Sequence, residues 1–185
     1  MATGWDAIVS EANALNKPDA FDIVRRRKID AVQQITRRHL VIYAIDFNRP
    51  LKAQLGNFSS ITLADKLGFD EVTRNLAPDS GVDVLLHSPG GSAEATESIV
   101  EMLRTRCEHI RYIVPGEAKS AATMMAMSGE QLVMDEQSEL GPTDPQMIIN
   151  RQGQIIQAPA QAIKDQFMMA QDEVTACLPA CLAIE

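Results

Sequence analysis

His87-Ser88-Pro89-Gly90-Gly91-Ser92 is one of two turns of small residues that stand between an apolar run and a helix-like segment. The second turn is Ala118-Lys119-Ser120-Ala121-Ala122-Thr123. A glycine pair after a strand lets the backbone turn sharply and leaves its N–H groups available, and a serine at the start of the next helix would lie beside them. The two turns together predict a site that stabilises an oxyanion.

The segments around these turns alternate between helix and strand. The patterns predict strands at 41–45, 82–86, 110–114 and 131–134, and helices at 5–16, 19–37, 62–76, 92–106 and 120–128. Such alternation is typical of βαβ units with a mainly parallel sheet, whose ligand sites lie at the carboxyl ends of the strands. The predicted fold class is therefore α/β, with both turns at that edge of the sheet.

The last part of the chain has a different pattern. Two β-rich runs flank Arg151-Gln152-Gly153, which predicts a hairpin, and Pro159 is then expected to open a helix that continues to about Thr175.

Composition excludes several function classes. The 185 residues are 45% hydrophobic, enough for the core of one domain, and the formal net charge of -8 argues against a general nucleic-acid binder. The basic cluster Arg25-Arg26-Arg27-Lys28 is interpreted as a solvated helix face. No apolar run approaches the ~20 residues of a membrane span, and the N-terminus lacks signal-peptide features, so no transmembrane segment and a cytoplasmic location are expected.

The three cysteines, Cys107, Cys177 and Cys181, lack the spacing of a metal site and are expected to be reduced thiols. No motif for a metal or an organic cofactor is present, and none is predicted.

Ser120 is the candidate nucleophile. A serine hydroxyl reacts at neutral pH only when a base takes its proton and donors receive the developing oxyanion. The Ala121 N–H is one such donor, and Gly91 supplies another if the two loops meet. On local sequence alone an alternative stays open, in which Gly90 and Gly91 only form a tight turn and Ser120 only caps a helix.

The general base is harder to identify. No histidine follows Ser120, and the only lysine after it is Lys164. A lysine acts as a base only when burial lowers its pKa toward neutrality. The alternative is that Lys164 is a solvated helix residue. Lys119 adjoins the serine and is expected to point elsewhere, and His87 is a reserve candidate.

Three stretches carry a family resemblance: 84–91, which ends in the Ser-Pro-Gly-Gly turn; 113–126, which contains Lys-Ser-Ala-Ala-Thr; and 138–146, which contains Leu-Gly-Pro-Thr-Asp-Pro-Gln. In this order they resemble the serine dehydrogenase proteinase family of the ClpP/crotonase-like superfamily, which is related to signal peptide peptidase A and the NfeD-type serine proteases. The resemblance covers about residues 25–170 and implies a ClpP/crotonase-like repeated ββα spiral.

The resemblance also implies residue roles. Ser120 matches the nucleophile, Gly91 and Ala121 match the oxyanion donors, and Gly90, Gly91 and Ser92 match a substrate-binding turn. The Clp-type branch has a histidine about 25 residues after its serine, where this chain has Pro142-Thr143-Asp144-Pro145.

The related lysine-dependent branches instead place a base about 40 to 50 residues beyond the serine. Lys164 falls in that window, so the resemblance favours a Ser-Lys dyad over a Ser-His-Asp triad. Asp144 belongs to the family pattern, as an orienting residue or as a brace for a turn.

The sequence thus predicts an N-terminal helical segment, 1–37, and a ClpP/crotonase-like domain, 38–185, without the C-terminal extension usual in the family. The expected function is a serine peptidase that cleaves peptides or proteins through an acyl-enzyme, as a homo-oligomer, with membrane-associated substrates left open. The alternatives are an inactive homologue that binds peptide or assembles with a relative, and an acyl-CoA enzyme using Glu94, Glu97 or Glu117.

Overall fold

Four parallel strands form the central sheet of the protein. A computed structural model describes residues 4–47, 60–77, 80–144, 146–151 and 154–182. The strands are β1 (His39–Ala44), β2 (Gly81–His87), β3 (His109–Val114) and β5 (Gln131–Met134), in the order β1-β2-β3-β5. All three strand pairs are parallel, as the alternation of helices and strands predicts.

In the described part of residues 4–141, five helices accompany this sheet: α1 (Trp5–Leu15), α2 (Ala20–Thr36), α3 (Asp65–Thr73), α4 (Ala93–Arg106) and α5 (Ala121–Met127). Two short strands were missed by the sequence patterns, β4 (Glu117–Ala118) and β6 (Glu139–Leu140), which pair in parallel with each other. A two-residue strand has no periodicity of its own, so only its hydrogen-bonding partner reveals it. The predicted α/β fold with a mainly parallel sheet flanked by helices is confirmed.

One face of the sheet builds the core. Alternate residues of β2 and β3, such as Val84 and Tyr112, are buried because successive side chains of a strand point to opposite faces. The core cluster joins them to apolar residues of three helices: Phe69, Ala95, Ile99, Leu103, Ala121, Ala122, Met125 and Ala126. Helix α5 presents mainly small residues to this cluster, which lets its backbone approach the sheet closely.

Helices α1 and α2 have a smaller cluster of their own, formed by Ala12, Ala20 and Val24. Their positions match the predicted helices 5–16 and 19–37 within one residue at each end.

Chain contacts divide the protein into two compact units, residues 1–141 and 142–185. The second unit contains β7 (Gln146–Arg151), β8 (Gln154–Pro159) and α6 (Ala160–Leu182). The antiparallel pairing of β7 with β8 is the predicted hairpin, and its expected turn residues, Gln152 and Gly153, lie outside the described residues. Pro159 ends β8 instead of opening the helix, and α6 runs beyond the predicted Thr175. The proposed division at residue 37 stays a prediction.

A buried carboxylate anchors the amino-terminal edge of the sheet. Asp83 lies within β2 and is fully buried. Its Oδ1 accepts hydrogen bonds from Arg38 Nε at 2.7 Å and Arg111 Nε at 2.9 Å, and its Oδ2 accepts one from Arg111 at 2.7 Å. Arg38 also donates to the His109 carbonyl at 2.8 Å. Because buried charges must be paired, these contacts connect the end of α2 with β2 and β3.

Replacing Asp83 with asparagine is expected to lower the free energy of unfolding by about 3–5 kcal/mol, because two largely buried guanidinium groups lose their counter-charge. Urea unfolding monitored by circular dichroism measures the change. The matched control is Asp22→Asn, which breaks the exposed pair of Asp22 with Arg25 and should cost less than about 1 kcal/mol. Equal losses in the two variants would contradict the role assigned to Asp83.

Candidate active site

The two turns identified in the sequence lie side by side at the carboxyl ends of β2 and β3. Ser88 and Ala118 form a parallel bridge. The Ser88 N–H donates to the Glu117 carbonyl at 3.0 Å, and the Lys119 N–H donates to the Ser88 carbonyl at 3.0 Å. The chain therefore brings the Gly90-Gly91 turn next to Ser120, which sequence alone left open.

Gly90 is the point of closest approach. Its φ of 96° lies in the region that favours glycine. A Cβ atom on Gly90 would lie 2.5 Å from the Lys119 carbonyl oxygen, 2.8 Å from Ser120 Cβ and 3.0 Å from the Ala121 nitrogen. Both the backbone conformation and the space available thus require glycine at this position, and any side chain would push Ser120 away.

Ser120 has an unusual backbone conformation, with φ 51° and ψ -122°. The other non-glycine residues with positive φ, Asn16 and Arg37, end helices in the ordinary left-handed region, whereas the ψ of Ser120 lies outside it. Such a conformation costs on the order of 1–3 kcal/mol and persists only when the surroundings hold it. Ser120 also makes no side-chain capping hydrogen bond to α5, so the alternative of a simple helix cap does not describe it.

Two backbone N–H groups beside Ser120 have no acceptor within the described part of the chain, those of Gly91 and Ala121. Three neighbouring amides are hydrogen-bonded: Gly90 N–H donates to Ser88 Oγ at 3.2 Å, Ser92 N–H to the Ile61 carbonyl at 2.9 Å, and Ala122 N–H to the Lys119 carbonyl at 3.0 Å. Unpaired donors beside a serine hydroxyl are what stabilisation of a developing oxyanion requires.

The turn that carries Gly91 and Ser92 is also hydrogen-bonded to Ile61, in the segment before α3. Ile61 forms a parallel bridge with Gly91, and its N–H donates to the Gly90 carbonyl at 2.8 Å. Ser92 is the N-cap of α4, where its hydroxyl accepts the Ala95 N–H at 3.1 Å. The Ser92 side chain thus orients α4, and the exposed Gly91 and Ser92 backbone borders the site.

Lys119 points away from Ser120. Its Nζ lies 2.5 Å from Glu139 Oε2 and 3.9 Å from Glu117 Oε2. The Lys119 ammonium lowers the pKa of the exposed Glu139 carboxyl below its ordinary value. This ion pair ties the residue before the serine to β6.

His87 has a structural contact. Its Nδ1 accepts the Glu117 N–H at 3.1 Å, and its ring stacks on Phe47 with the ring centroids 5.0 Å apart. The contact fixes the start of β4, from which the chain enters the Ser120 turn.

Gly141, in the third sequence motif (138–146), packs against the turn that carries Ser120. The Gly141 N–H donates to the Ala118 carbonyl at 2.9 Å. A Cβ atom on Gly141 would lie 2.4 Å from Lys119 Cδ and 3.0 Å from Lys119 Cα, so this glycine lets the motif lie directly against the serine turn. Three separate stretches of sequence therefore meet at Ser120.

Asp144 and Lys164 belong to the second unit, and both side chains are exposed. Lys164 lies in the first part of α6. Their roles in the chemistry stay proposals.

Thr123 closes the Lys-Ser-Ala-Ala-Thr stretch, is buried and was not singled out from the sequence. The only signal was its position one helical turn after Ser120. In the described residues no group of three or more His, Cys, Asp or Glu side chains could hold a metal ion, and no helix there is long and apolar enough to cross a membrane.

Several solved structures are similar to part of this chain. A serine-to-alanine variant of the 1510-N membrane-bound stomatin-specific protease is 24% identical, with a TM-score of 0.45, over 60% of this chain and 55% of that one. A lysine-to-alanine variant of that protease, in complex with a substrate peptide, is 27% identical, with a TM-score of 0.45, over 60% and 52%. ClpP1 from Listeria monocytogenes is 17% identical, with a TM-score of 0.35, over 50% and 57%.

Two uncharacterized proteins of Methanocaldococcus jannaschii are similar in sequence. They are 33% and 30% identical over 90 residues, which is 49% of this chain and 32% and 31% of theirs. The chain thus spans about a third of the length of these curated relatives.

A sequence model of ClpP-like SDH-type serine proteinases matches residues 21–175, most of the chain. The protein therefore belongs to the family of ClpP-like SDH-type serine proteinases.

Proposed function

We propose that the chain is a serine peptidase that cleaves peptide bonds through an acyl-enzyme on Ser120. The observation that carries this proposal is the contact between the Gly90 turn and the Ser120 turn, which places a strained serine beside two N–H groups without an acceptor in the described residues. Membership in a family of serine proteinases supports the same reaction class.

In the proposed reaction, Ser120 Oγ attacks the carbonyl carbon of the scissile peptide while its proton passes to a general base. The carbonyl oxygen becomes negatively charged and accepts hydrogen bonds from the Gly91 and Ala121 N–H groups. Collapse of this intermediate breaks the C–N bond, and the leaving amine takes the proton from the base. Water then hydrolyses the acyl-enzyme, with its proton following the same route.

Lys164 is proposed as the general base; its side chain is exposed in the structure, so this role requires that Lys164 become buried when the substrate is bound. No histidine follows Ser120, Lys164 is the only lysine after it, and Lys119 is engaged by Glu139. His87 is less suited to the role, because its Nδ1 already accepts the Glu117 N–H. Asp144 is proposed to orient the site or brace its turn.

The substrate is proposed to be a peptide or protein segment bound in an extended conformation along Gly90, Gly91 and Ser92, since a protease must present its scissile carbonyl to the nucleophile. Assembly into a homo-oligomer stays a prediction from the family resemblance.

Labelling with a fluorophosphonate probe tests the nucleophile. The native chain should be labelled and Ser120→Ala should not, because the probe bonds covalently to an activated serine. Ser98→Ala is the matched control, because Ser98 lies on α4 and its hydroxyl accepts a hydrogen bond from Lys66 Nζ at 2.6 Å. It should be labelled like the native chain.

Folding of each sample is checked by circular dichroism. Labelling that survives in Ser120→Ala would assign the activity to another serine. A folded native chain that resists the probe would support the inactive, peptide-binding alternative.

The dyad is tested with Lys164→Ala and Lys164→Arg, measured as the second-order rate of probe labelling. Both should slow labelling by about 100-fold or more, since a general base contributes roughly 10²–10⁴-fold and a guanidinium does not accept a proton at neutral pH. Lys17→Ala, at another exposed lysine, should label at the native rate. A native rate in Lys164→Ala would eliminate the dyad.

A further inference from the structure

We propose that the Thr123 hydroxyl is a positioning group that holds Ser120 in its reactive conformation. This inference rests on the proposed function of Ser120 and adds a residue that acts on the nucleophile through the backbone. Thr123 is 3% exposed, so its side chain is buried beneath the surface of the protein.

The Thr123 hydroxyl bridges the two ends of the serine turn. It lies 2.7 Å from the Ala118 carbonyl oxygen and 3.1 Å from the Gly141 carbonyl oxygen, and its single proton is assigned to the shorter contact. Ala118 lies two residues before Ser120, and Thr123 lies three residues after it. This hydrogen bond closes a ring that contains Lys119, Ser120, Ala121 and Ala122. A turn whose ends are tied in this way cannot relax its central residue without breaking the hydrogen bond.

The same hydroxyl connects the third motif to the turn. Thr123 Oγ accepts the Gly141 N–H at 3.1 Å, and that N–H also donates to the Ala118 carbonyl. A hydroxyl has one proton and two lone pairs, so it can donate to Ala118 while accepting from Gly141. One buried oxygen thus joins β4, α5 and the segment after β6.

Strain at Ser120 gives this arrangement its functional meaning. A non-glycine residue at φ 51° and ψ -122° is held there by its surroundings. Loss of the Thr123 bonds would let the turn relax, which would move both Ser120 Oγ and the adjacent Ala121 N–H. Misplacement of reacting groups by about 1 Å costs roughly 100-fold in rate.

Thr123→Val tests the proposal, because valine keeps the shape of threonine and removes the hydroxyl. The rate of fluorophosphonate labelling is expected to fall about 10- to 100-fold. Thr123→Ser, which restores the hydroxyl, is expected to recover most of the native rate.

Thr73→Val is the matched control. Thr73 is 1% exposed, its hydroxyl donates to the Phe69 carbonyl at 2.6 Å, and it accepts a bond from Arg106 at 3.1 Å. Its burial and hydrogen bonding therefore match those of Thr123, but it lies on α3. It should lower the melting temperature to a similar extent and leave the labelling rate native, measured where all variants are folded.

Hydrogen exchange provides a readout that needs no activity. The amides of Ala122 and Thr123, which donate to the Lys119 and Ser120 carbonyls, should exchange faster in Thr123→Val than in Thr73→Val. Labelling of Thr123→Val at the rate of the control, or failure of Thr123→Ser to restore it, would overturn the proposal. If the native chain is not labelled, the proposed function fails, and exchange decides: faster exchange at these amides supports the positioning role, and unchanged exchange overturns it.

Discussion

The close approach of the Gly90 backbone to Ser120 is the constraint on which the site depends. There is no room for a Cβ atom between them, because it would lie within 3 Å of Lys119, Ser120 and Ala121 together. This contact joins the Gly90 turn to the Ser120 turn, whose Gly91 and Ala121 N–H groups have no acceptor among the described residues, and it forms because β2 and β3 end at the same edge of a parallel sheet. The chemistry of the site thus follows from a steric condition on a single glycine.

The two ends of the sheet are stabilised in different ways. At the amino-terminal edge, the buried carboxylate of Asp83 forms ion pairs with Arg38 and Arg111, and these pairs hold β2 and β3 together. At the carboxyl edge, short strands and backbone hydrogen bonds hold a turn in a costly conformation. The candidate site lies at the carboxyl edge, where Ser120 is strained. Under the proposed function, this strain would fix the direction of the Ser120 hydroxyl before a substrate binds.

The elements of the sheet could be predicted from the sequence because their signals are local. The strand at 131–134 and helices α1 and α2 follow from local patterns of apolar and polar residues, and the turns at Gly90 and Ser120 follow from glycine and small-residue chemistry. The short strands β4 and β6 could not be predicted, since two residues have no period and are defined only by their partners. The role proposed for Thr123 could not be predicted for a related reason: its acceptor is close in sequence, but its donor, Gly141, lies in another motif.

The sequence by itself determined the fold class, the order of helices and strands, and the identity of the small residues that meet at the site. It did so because patterning, glycine conformational freedom and turn chemistry act over a few residues. Only the tertiary structure decided that the two turns touch, that Ser120 is strained, that Lys119 turns away to Glu139, and that Asp83 and Thr123 join distant segments. Those facts depend on the register of neighbouring strands and on contacts between residues far apart in the chain, which no local pattern encodes.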